Sequence, residues 1–311
     1  MNQLELVVAD IDDSVPGIRI LTLGNSDGSR LPPFPPGAHV VLDCGGVANA
    51  YSLTGDGVSP LHYTVSVLLC PDGSGGSRWI HRELTVGDTI IARPPRSAFA
   101  PVLRASRHVL VAAGIGITPM VSHLRSAQRW GRSTQLLYIH RDGHGAHLDE
   151  IGRLCPHAQI FTDRVRFHDA LGQMLDRQPI GTHLYICGPA GFLDEVTGRA
   201  GRLGWPASRI HSERFGAATL DAGEHFEVDL AATGENFTVP SGVSLLEALE
   251  QRGHTVANMC RQGVCGECRI PVVAGDILHR DLYLTDAEKQ QGDALMCCVS
   301  RAAGLRLELA L

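Results

Sequence analysis

Cys260-Arg-Gln-Gly-Val-Cys265-Gly-Glu-Cys268 is a C-x4-C-x2-C run, and Cys298 follows after 29 further residues. That is the plant-type spacing, in which four thiolates hold the two irons of a [2Fe–2S] cluster. Thiolates are soft ligands suited to iron–sulfur clusters, and a full set of four leaves no coordination position open to a substrate. The loop has to wrap around the metal. Gly263 and Gly266 permit a tight curl that brings backbone N–H groups towards the sulfurs. The competing reading is a structural zinc site, but such sites combine two short cysteine pairs, and here the fourth cysteine stands by itself. Cys297 adjoins Cys298. The gap length selects Cys298 as the ligand and leaves Cys297 as a small core residue.

A chain of 311 residues has room for two or three domains. No apolar run approaches the length of a membrane span. The opening, Met1-Asn-Gln-Leu-Glu-Leu-Val-Val, lacks the basic start and long apolar core of a signal peptide and reads as a first strand. Nine cysteines is an odd number, and a thiolate cluster needs reduced ligands, so a cytoplasmic setting is expected rather than a disulfide framework. Residues 1–223 carry 20 acidic and 20 basic side chains, whereas residues 224–311 carry 13 and 7, so the whole net charge of −6 lies in the cluster-bearing segment. Such a patch steers docking to a basic partner or simply serves solubility. Nothing is basic enough for nucleic acid.

Three domains are expected: 1–103, 104–222 and 226–311. The first reads as short strands punctuated by Gly, Pro and Asp, at Leu4–Ala9, Gly17–Thr22, His39–Leu42, Ala50–Leu53, Tyr63–Leu69 and Thr89–Ala92, with one helix near Arg78–Leu84. That spacing predicts an antiparallel β-barrel. In the second, apolar runs at His108–Ala113, Gln135–His140, Ala158–Thr162 and His183–Cys187 alternate with helical segments. They predict a parallel, doubly wound α/β sheet. The third mixes strands Phe226–Ala231 and Arg306–Ala310 with an amphipathic helix over Ser244–Arg252, an α+β pattern. Ser244 with Glu247 three residues on reads as a capping box.

Three stretches could carry chemistry beyond the cluster. In Val109-Leu-Val-Ala-Ala-Gly114-Ile-Gly116-Ile-Thr118-Pro119, a buried strand runs into glycines, and Thr118 and Pro119 are placed as N-cap and first residue of a helix. A helix start offers free N–H groups to a phosphate, although the third glycine of the dinucleotide fingerprint is missing. Cys187-Gly188-Pro189 ends a later strand, where ligands of open α/β sheets sit. Cys187 could line a nicotinamide pocket or be a buried structural thiol. Asn49-Ala-Tyr51-Ser52-Leu53 could pack and hydrogen-bond a flavin ring, with Gly75-Gly76-Ser77 cradling its phosphate. By itself, Tyr-Ser-Leu is more often just a strand.

Together these stretches resemble the FMN-containing reductases of two-component Rieske oxygenases, the phthalate dioxygenase reductase and vanillate O-demethylase reductase family. The likeness covers essentially the whole chain. It includes Val86-Gly-Asp88 with Pro95 and Phe99, His211-x-Glu213-x-Phe215, His279-Arg280-Asp281 and Cys298-Val-Ser-Arg301. It implies that Tyr51 and Ser52 face the flavin, Ser52 near its reactive nitrogen, and that Gly76 and Ser77 hold the FMN phosphate. Gly114, Gly116, Thr118 and Pro119 would form the floor for the pyridine nucleotide. Cys187 would approach the nicotinamide, and Phe215 would cover the flavin where the nicotinamide must enter. Many relatives start the flavin motif with arginine, and here that position is Asn49. A neutral amide supplies no permanent charge, which leaves Arg78 or Arg82 to compensate.

The chemistry orders the carriers. NADH gives two electrons as a hydride, the cluster accepts one at a time, and a flavin handles both. The expected function is an NADH-dependent reductase with FMN and a [2Fe–2S] cluster that feeds a terminal Rieske-type oxygenase. No general acid or base is required. Arg141 and Asp142 are adjacent after the second strand of the parallel sheet and do not decide between NADH and NADPH; the resemblance favours NADH. Two other classes stand beside this reading: a ferredoxin-like carrier without active flavin, and a zinc-stabilised, stand-alone flavin reductase.

Overall fold

The computed structural model describes residues 3–73, 75–97, 99–215, 222–258, 261, 263, 266–281 and 283–311. It divides into two compact units, Met1–Phe215 and Gly216–Leu311.

The first unit opens with six strands, β1 (Leu4–Val15), β2 (Ile18–Gly24), β3 (His39–Asp43), β4 (Ala48–Ser52), β5 (His62–Leu68) and β6 (Thr89–Arg96), and one short helix, α1 (Gly76–Arg82). They form an antiparallel sheet in the order β4-β3-β6-β1-β2-β5. Alternate residues such as Leu6, Leu21, Val40, Leu53, Val65 and Ile90 point to one interior, as the two-residue period of a strand requires. A bridge between Leu53 and Val65 joins the two outer strands and closes the sheet into a barrel.

The parallel sheet follows, with β7 (Arg107–Ala113), β8 (Thr134–Ile139), β9 (Gln159–Phe161), β10 (Thr182–Gly188) and β11 (Ile210–Arg214) in the order β11-β10-β7-β8-β9. Its helices are α2 (Ile117–Trp130), α3 (Leu148–Leu154), α4 (Arg164–Asp176) and α5 (Ala190–Arg202). Leu110, Ala112, Tyr138 and Tyr185 pack with α2 and α3 on one face. Val109, Val111, Leu137 and Ile186 pack with α4 and α5 on the other. Burial on both faces is why these strands read as unbroken apolar runs. One placement differs from expectation. Thr118 is not the N-cap and Pro119 is not the first helical residue: a 3₁₀ turn over Gly114–Gly116 runs directly into α2, which starts at Ile117. Gly114, at φ 55°, turns the chain early, and Thr118 Oγ1 donates backwards to the Ile115 carbonyl at 3.0 Å.

The second unit is α+β. Its strands are β12 (Phe226–Leu230), β13 (Asn236–Val239), β14 (Arg269–Ala274), β15 (Ile277–Leu278), β16 (Ala294–Met296), β17 (Arg301–Ala302) and β18 (Arg306–Leu309); its helices are α6 (Leu245–Gln251) and α7 (Asp286–Gln291). The main sheet runs β13-β12-β18-β14-β16, and β15 pairs with β17. Ser244 caps α6 in a full capping box with Glu247. Arg301 is buried, donates to the carbonyls of Val243, Glu224 and Pro240, and lies over the Phe226 ring.

In the first unit, His123 Nε2 meets the Phe99 carbonyl at 2.9 Å, and burial pushes its pKa down to about 3. Burial likewise pushes His39 down to about 4. Both imidazoles stay neutral in the fold, whereas the unfolded chain protonates them near the ordinary 6.5. Stability is therefore whole above about pH 6.5 and is lost as pH falls towards the folded values, by about 1.4 kcal/mol per pH unit for each histidine. Urea unfolding of the first unit between pH 7 and 5 checks this. His123→Gln should flatten the slope by about one proton, and a slope of zero in the parent chain would contradict it.

Candidate redox centres

The nucleotide turn rests directly on the end of β10. A Cβ on Gly116 would lie 2.3 Å from the Cys187 carbonyl oxygen and 2.8 Å from the Gly188 nitrogen. Only glycine fits there, and the close approach leaves the 114–116 turn flush with Cys187-Gly188-Pro189. Gly188 is also confined, since a Cβ would sit 3.0 Å from that of Ala113. Pro189 stands just before α5 without a side-chain cap, its carbonyl accepting from Phe192 N and Leu193 N. Cys187 is fully buried, and burial followed by the Glu213 carboxylate pushes its thiol up. It therefore stays a neutral thiol. Glu213 pairs with it across β10 and β11; the residue lies in the quoted motif, but nothing in its spacing pointed to this contact. Phe215 is half-buried and packs against the apolar cluster of α2 and α3.

The flavin motif lies on β4. Ser52 is 5 % exposed and its Oγ has no hydrogen-bond partner among the described residues. Leaving a buried hydroxyl unpaired costs about 1–3 kcal/mol, so a ligand atom that pairs with it fits. Asn49 Nδ2 donates to Tyr51 Oη at 3.2 Å and lies 2.4 Å from where a Gly76 Cβ would be. Asn49, Tyr51 and Gly76 thus form one wall, and burial raises the Tyr51 hydroxyl pKa. Gly75 adopts φ 106° to enter α1. Leu53 belongs to the barrel core and its N–H goes to the Ala38 carbonyl, so a ligand can meet it only through the remaining backbone. Ser77 is committed in part as well, its Oγ accepting from Cys70 N at 3.1 Å. Arg78 is exposed, its guanidinium 3.7 Å from where a Gly75 Cβ would be.

The two motifs share a neighbour. β5 bridges Leu53 through Val65 and also lies against the 114–116 turn. The Asn49–Leu53 and Gly114–Gly116 stretches are thereby brought to one seam.

In the second unit Cys268 and Cys298 place their sulfurs 3.1 Å apart. Contacts with Cys297 and then Cys298 pull the Cys268 thiol down to about 3, while Cys297, buried in the apolar core, is pushed up by Cys268 and by burial. Cys260 and Cys265 lie outside the described residues. At the two glycines of this stretch the chain is tightly packed: a Cβ on Gly266 would be 2.3 Å from the Tyr283 ring, and one on Gly263 would be 3.0 Å from Asp281 Cα. The buried Asp281 carboxylate accepts from Leu284 N, Tyr283 N and Ser300 Oγ. Asp281 is therefore a brace that ties Ser300, two residues beyond Cys298, to the turn at Tyr283 and Leu284.

Comparison with known proteins agrees with these elements. Residues 88–210 match the family described as dimethylamine monooxygenase subunit DmmA-like, N-terminal domain, and residues 228–303 match the 2Fe-2S iron-sulfur cluster binding domain. A barrel, a parallel nucleotide lobe and a ferredoxin unit in one chain define an electron-transferring iron–sulfur flavoprotein oxidoreductase. Within that class, the chain belongs to the phthalate dioxygenase reductase family of oxygenase reductases. The solved structure of phthalate dioxygenase reductase, described as a modular structure for electron transfer from pyridine nucleotides to [2Fe–2S], is 33% identical, has a TM-score of 0.78 and covers 100% of this chain and 98% of its own. The heme-dependent oxidative N-demethylase beta subunit of Ectopseudomonas mendocina (strain ymp) is 39% identical over 97% of this chain and 96% of its own. An intact type IV self-sufficient cytochrome P450 monooxygenase is 32% identical with a TM-score of 0.83; the match covers 99% of this chain and 41% of the P450 chain. No helix among the described residues is long and apolar enough to cross a membrane.

Two substitutions probe the site. Gly116→Ala must push the turn off Cys187, and a misplacement near 1 Å costs on the order of a hundredfold in rate, so NADH oxidation should fall by that order with the visible spectrum unchanged. Arg78→Ala removes the cation nearest Gly75 and should release FMN on gel filtration; full flavin retention would show that Arg78 does not compensate for Asn49.

Proposed function

We propose that this chain takes electrons from NADH, carries them through FMN and a [2Fe–2S] cluster, and delivers them to the terminal component of an oxygenase system in the cytoplasm. Domain limits at 1–103, 104–222 and 226–311 belong to the same reading. The observation that carries it is the buried, unpartnered Ser52 hydroxyl on a strand that shares β5 with the nucleotide turn. Bound FMN would supply the conversion of a two-electron donor into two one-electron steps.

The chain's own residues have five tasks. Ser52 offers a hydrogen bond at the reactive edge of the flavin, and Tyr51, held by Asn49, packs beside the ring. Gly75, Gly76 and Ser77, with Leu53 through its backbone, bound the cofactor's end of the barrel. Gly114, Gly116, Thr118 and Pro119, with Cys187, Gly188 and Pro189, seat the nucleotide. Phe215 packs beside that seam and excludes water. Cys260, Cys265, Cys268 and Cys298 hold the cluster.

We take the acceptor to be a Rieske-type oxygenase. A second reading, a haem-containing oxygenase, is favoured by the 39% identity to a heme-dependent N-demethylase subunit. Anaerobic mixing of NADH-reduced chain with a Rieske oxygenase and, separately, with a haem N-demethylase separates the two. The true partner class should be reduced within the turnover time and the other should stay oxidised. Replacing Cys298 by Ser should remove both irons of the cluster, while Cys297→Ser should keep them. Iron and acid-labile sulfide assays read the difference, and iron retained in Cys298→Ser would refute the ligand assignment.

A further inference from the structure

Ser66 on β5 and His147, just before α3, meet in the first unit at 2.8 Å between Ser66 Oγ and His147 Nε2. On its other side His147 Nδ1 lies 3.3 Å from Glu150 Oε2, and Arg125 pairs with the same carboxylate. A carboxylate only accepts, so Nδ1 carries a proton towards Glu150, and Nε2 shares its hydrogen bond with the Ser66 hydroxyl. Burial raises the Glu150 carboxyl, but the contacts with His147 and Arg125 outweigh it and hold the group below its ordinary value.

Hydroxyl, imidazole and carboxylate stand in the order that activates a serine in hydrolases. Ser66, however, is 5 % exposed and lies in mid-strand, paired with Ile20 of β2, where no substrate carbonyl can reach it. Position is the better account. His147 holds a left-handed backbone at φ 60°, a conformation that a side chain of this kind keeps only when its surroundings impose it. Its side chain is 6 % exposed. Another side-chain bond from the barrel to the α/β lobe, Arg129 to Asp56, lies on the surface and is weakened by solvent.

What the contact holds is specific. Ser66 follows Val65, which bridges Leu53 directly after Ser52. Thr54 N donates to the Thr64 carbonyl on the same strand at 2.9 Å. The same strand lies against the 114–116 turn. A shift of β5 therefore moves the flavin strand relative to the nucleotide turn.

We propose that His147 is a positioning residue, and that the Ser66–His147–Glu150 chain sets the separation between the Ser52 strand and the nucleotide turn across which hydride passes. The proposal rests on the reductase reading above. In the full chain, Ser66→Ala and His147→Asn remove the contact, asparagine tolerating the left-handed backbone, while Ser66→Thr keeps the hydroxyl. Ser66→Ala and His147→Asn should lower kcat for NADH–ferricyanide turnover about tenfold at unchanged KM for NADH, since small misplacements of reacting groups act on the chemical step. Ser66→Thr should retain the parent kcat. Amide hydrogen exchange at Gly114–Gly116, measured without nucleotide, should quicken in the first two variants only. Parent-like kcat and exchange in flavin-loaded Ser66→Ala would overturn the proposal, as would a rise in KM alone. If the parent chain itself oxidises no NADH, the reductase reading fails, and the exchange comparison still decides whether the contact fixes β5.

Discussion

The backbone of Gly116 lies on the carbonyl of Cys187, and most of what the first unit can do follows from that contact. Two strands of one parallel sheet, β7 and β10, end at the same level because nothing larger than hydrogen separates them. The ends of these strands form a ledge centred on the neutral, buried Cys187 thiol, with the Glu213 carboxylate beside it on β11. Helix α2 begins at that ledge, but much of its N-terminal hydrogen-bonding capacity is spent locally: Thr118 folds back on Ile115, and Pro119 has no N–H to give. The seat is therefore defined by shape and backbone more than by charge.

The barrel meets that ledge through β5. A closed sheet has no free edge, so the bridge between Leu53 and Val65 both completes the barrel and ties the Ser52 strand to the strand that touches the nucleotide turn. Ser52 is left with its hydroxyl buried and unpaired, an arrangement that costs stability unless a bound group takes it up. Asn49 shows the other side of such economy. Its amide lies against the backbone of Gly76 and donates to Tyr51, so a short neutral side chain holds this wall together.

Much of this was legible in the chain because its signals are local. Gly, Pro and Asp punctuation located the six barrel strands, unbroken apolar runs located β7 to β10, and Ser244 with Glu247 located α6. Strands that lack such signals went unread. β13 and β16 are short, β14 carries Pro271, and β15 and β17 have two residues each. Helix α7 is polar apart from Ala287, so only its cap, Thr285 with Glu288, marks it. The N-cap expected at Thr118 moved upstream because a 3₁₀ turn, invisible to periodicity, came first. At the site, the glycines and cysteines stood out by spacing. Partnerships between distant strands did not: Ser66 with His147, Asp281 with Ser300, and Glu213 beside Cys187 exist only after folding. Leu53 and Ser77 show the converse, since each sits in its motif yet has much of its bonding capacity engaged by the protein itself.

Arg301 has a consequence for how the metal centre is built. Its guanidinium gathers three backbone carbonyls and covers Phe226, which anchors the chain three residues beyond Cys298 to the start of the second unit. On the other side, Ser300 is bound by the Asp281 brace. Cys268 and Cys298 are thus held by polypeptide packing with their sulfurs side by side, so the strand pairing of the second unit, and not the loop alone, fixes where these two thiols stand.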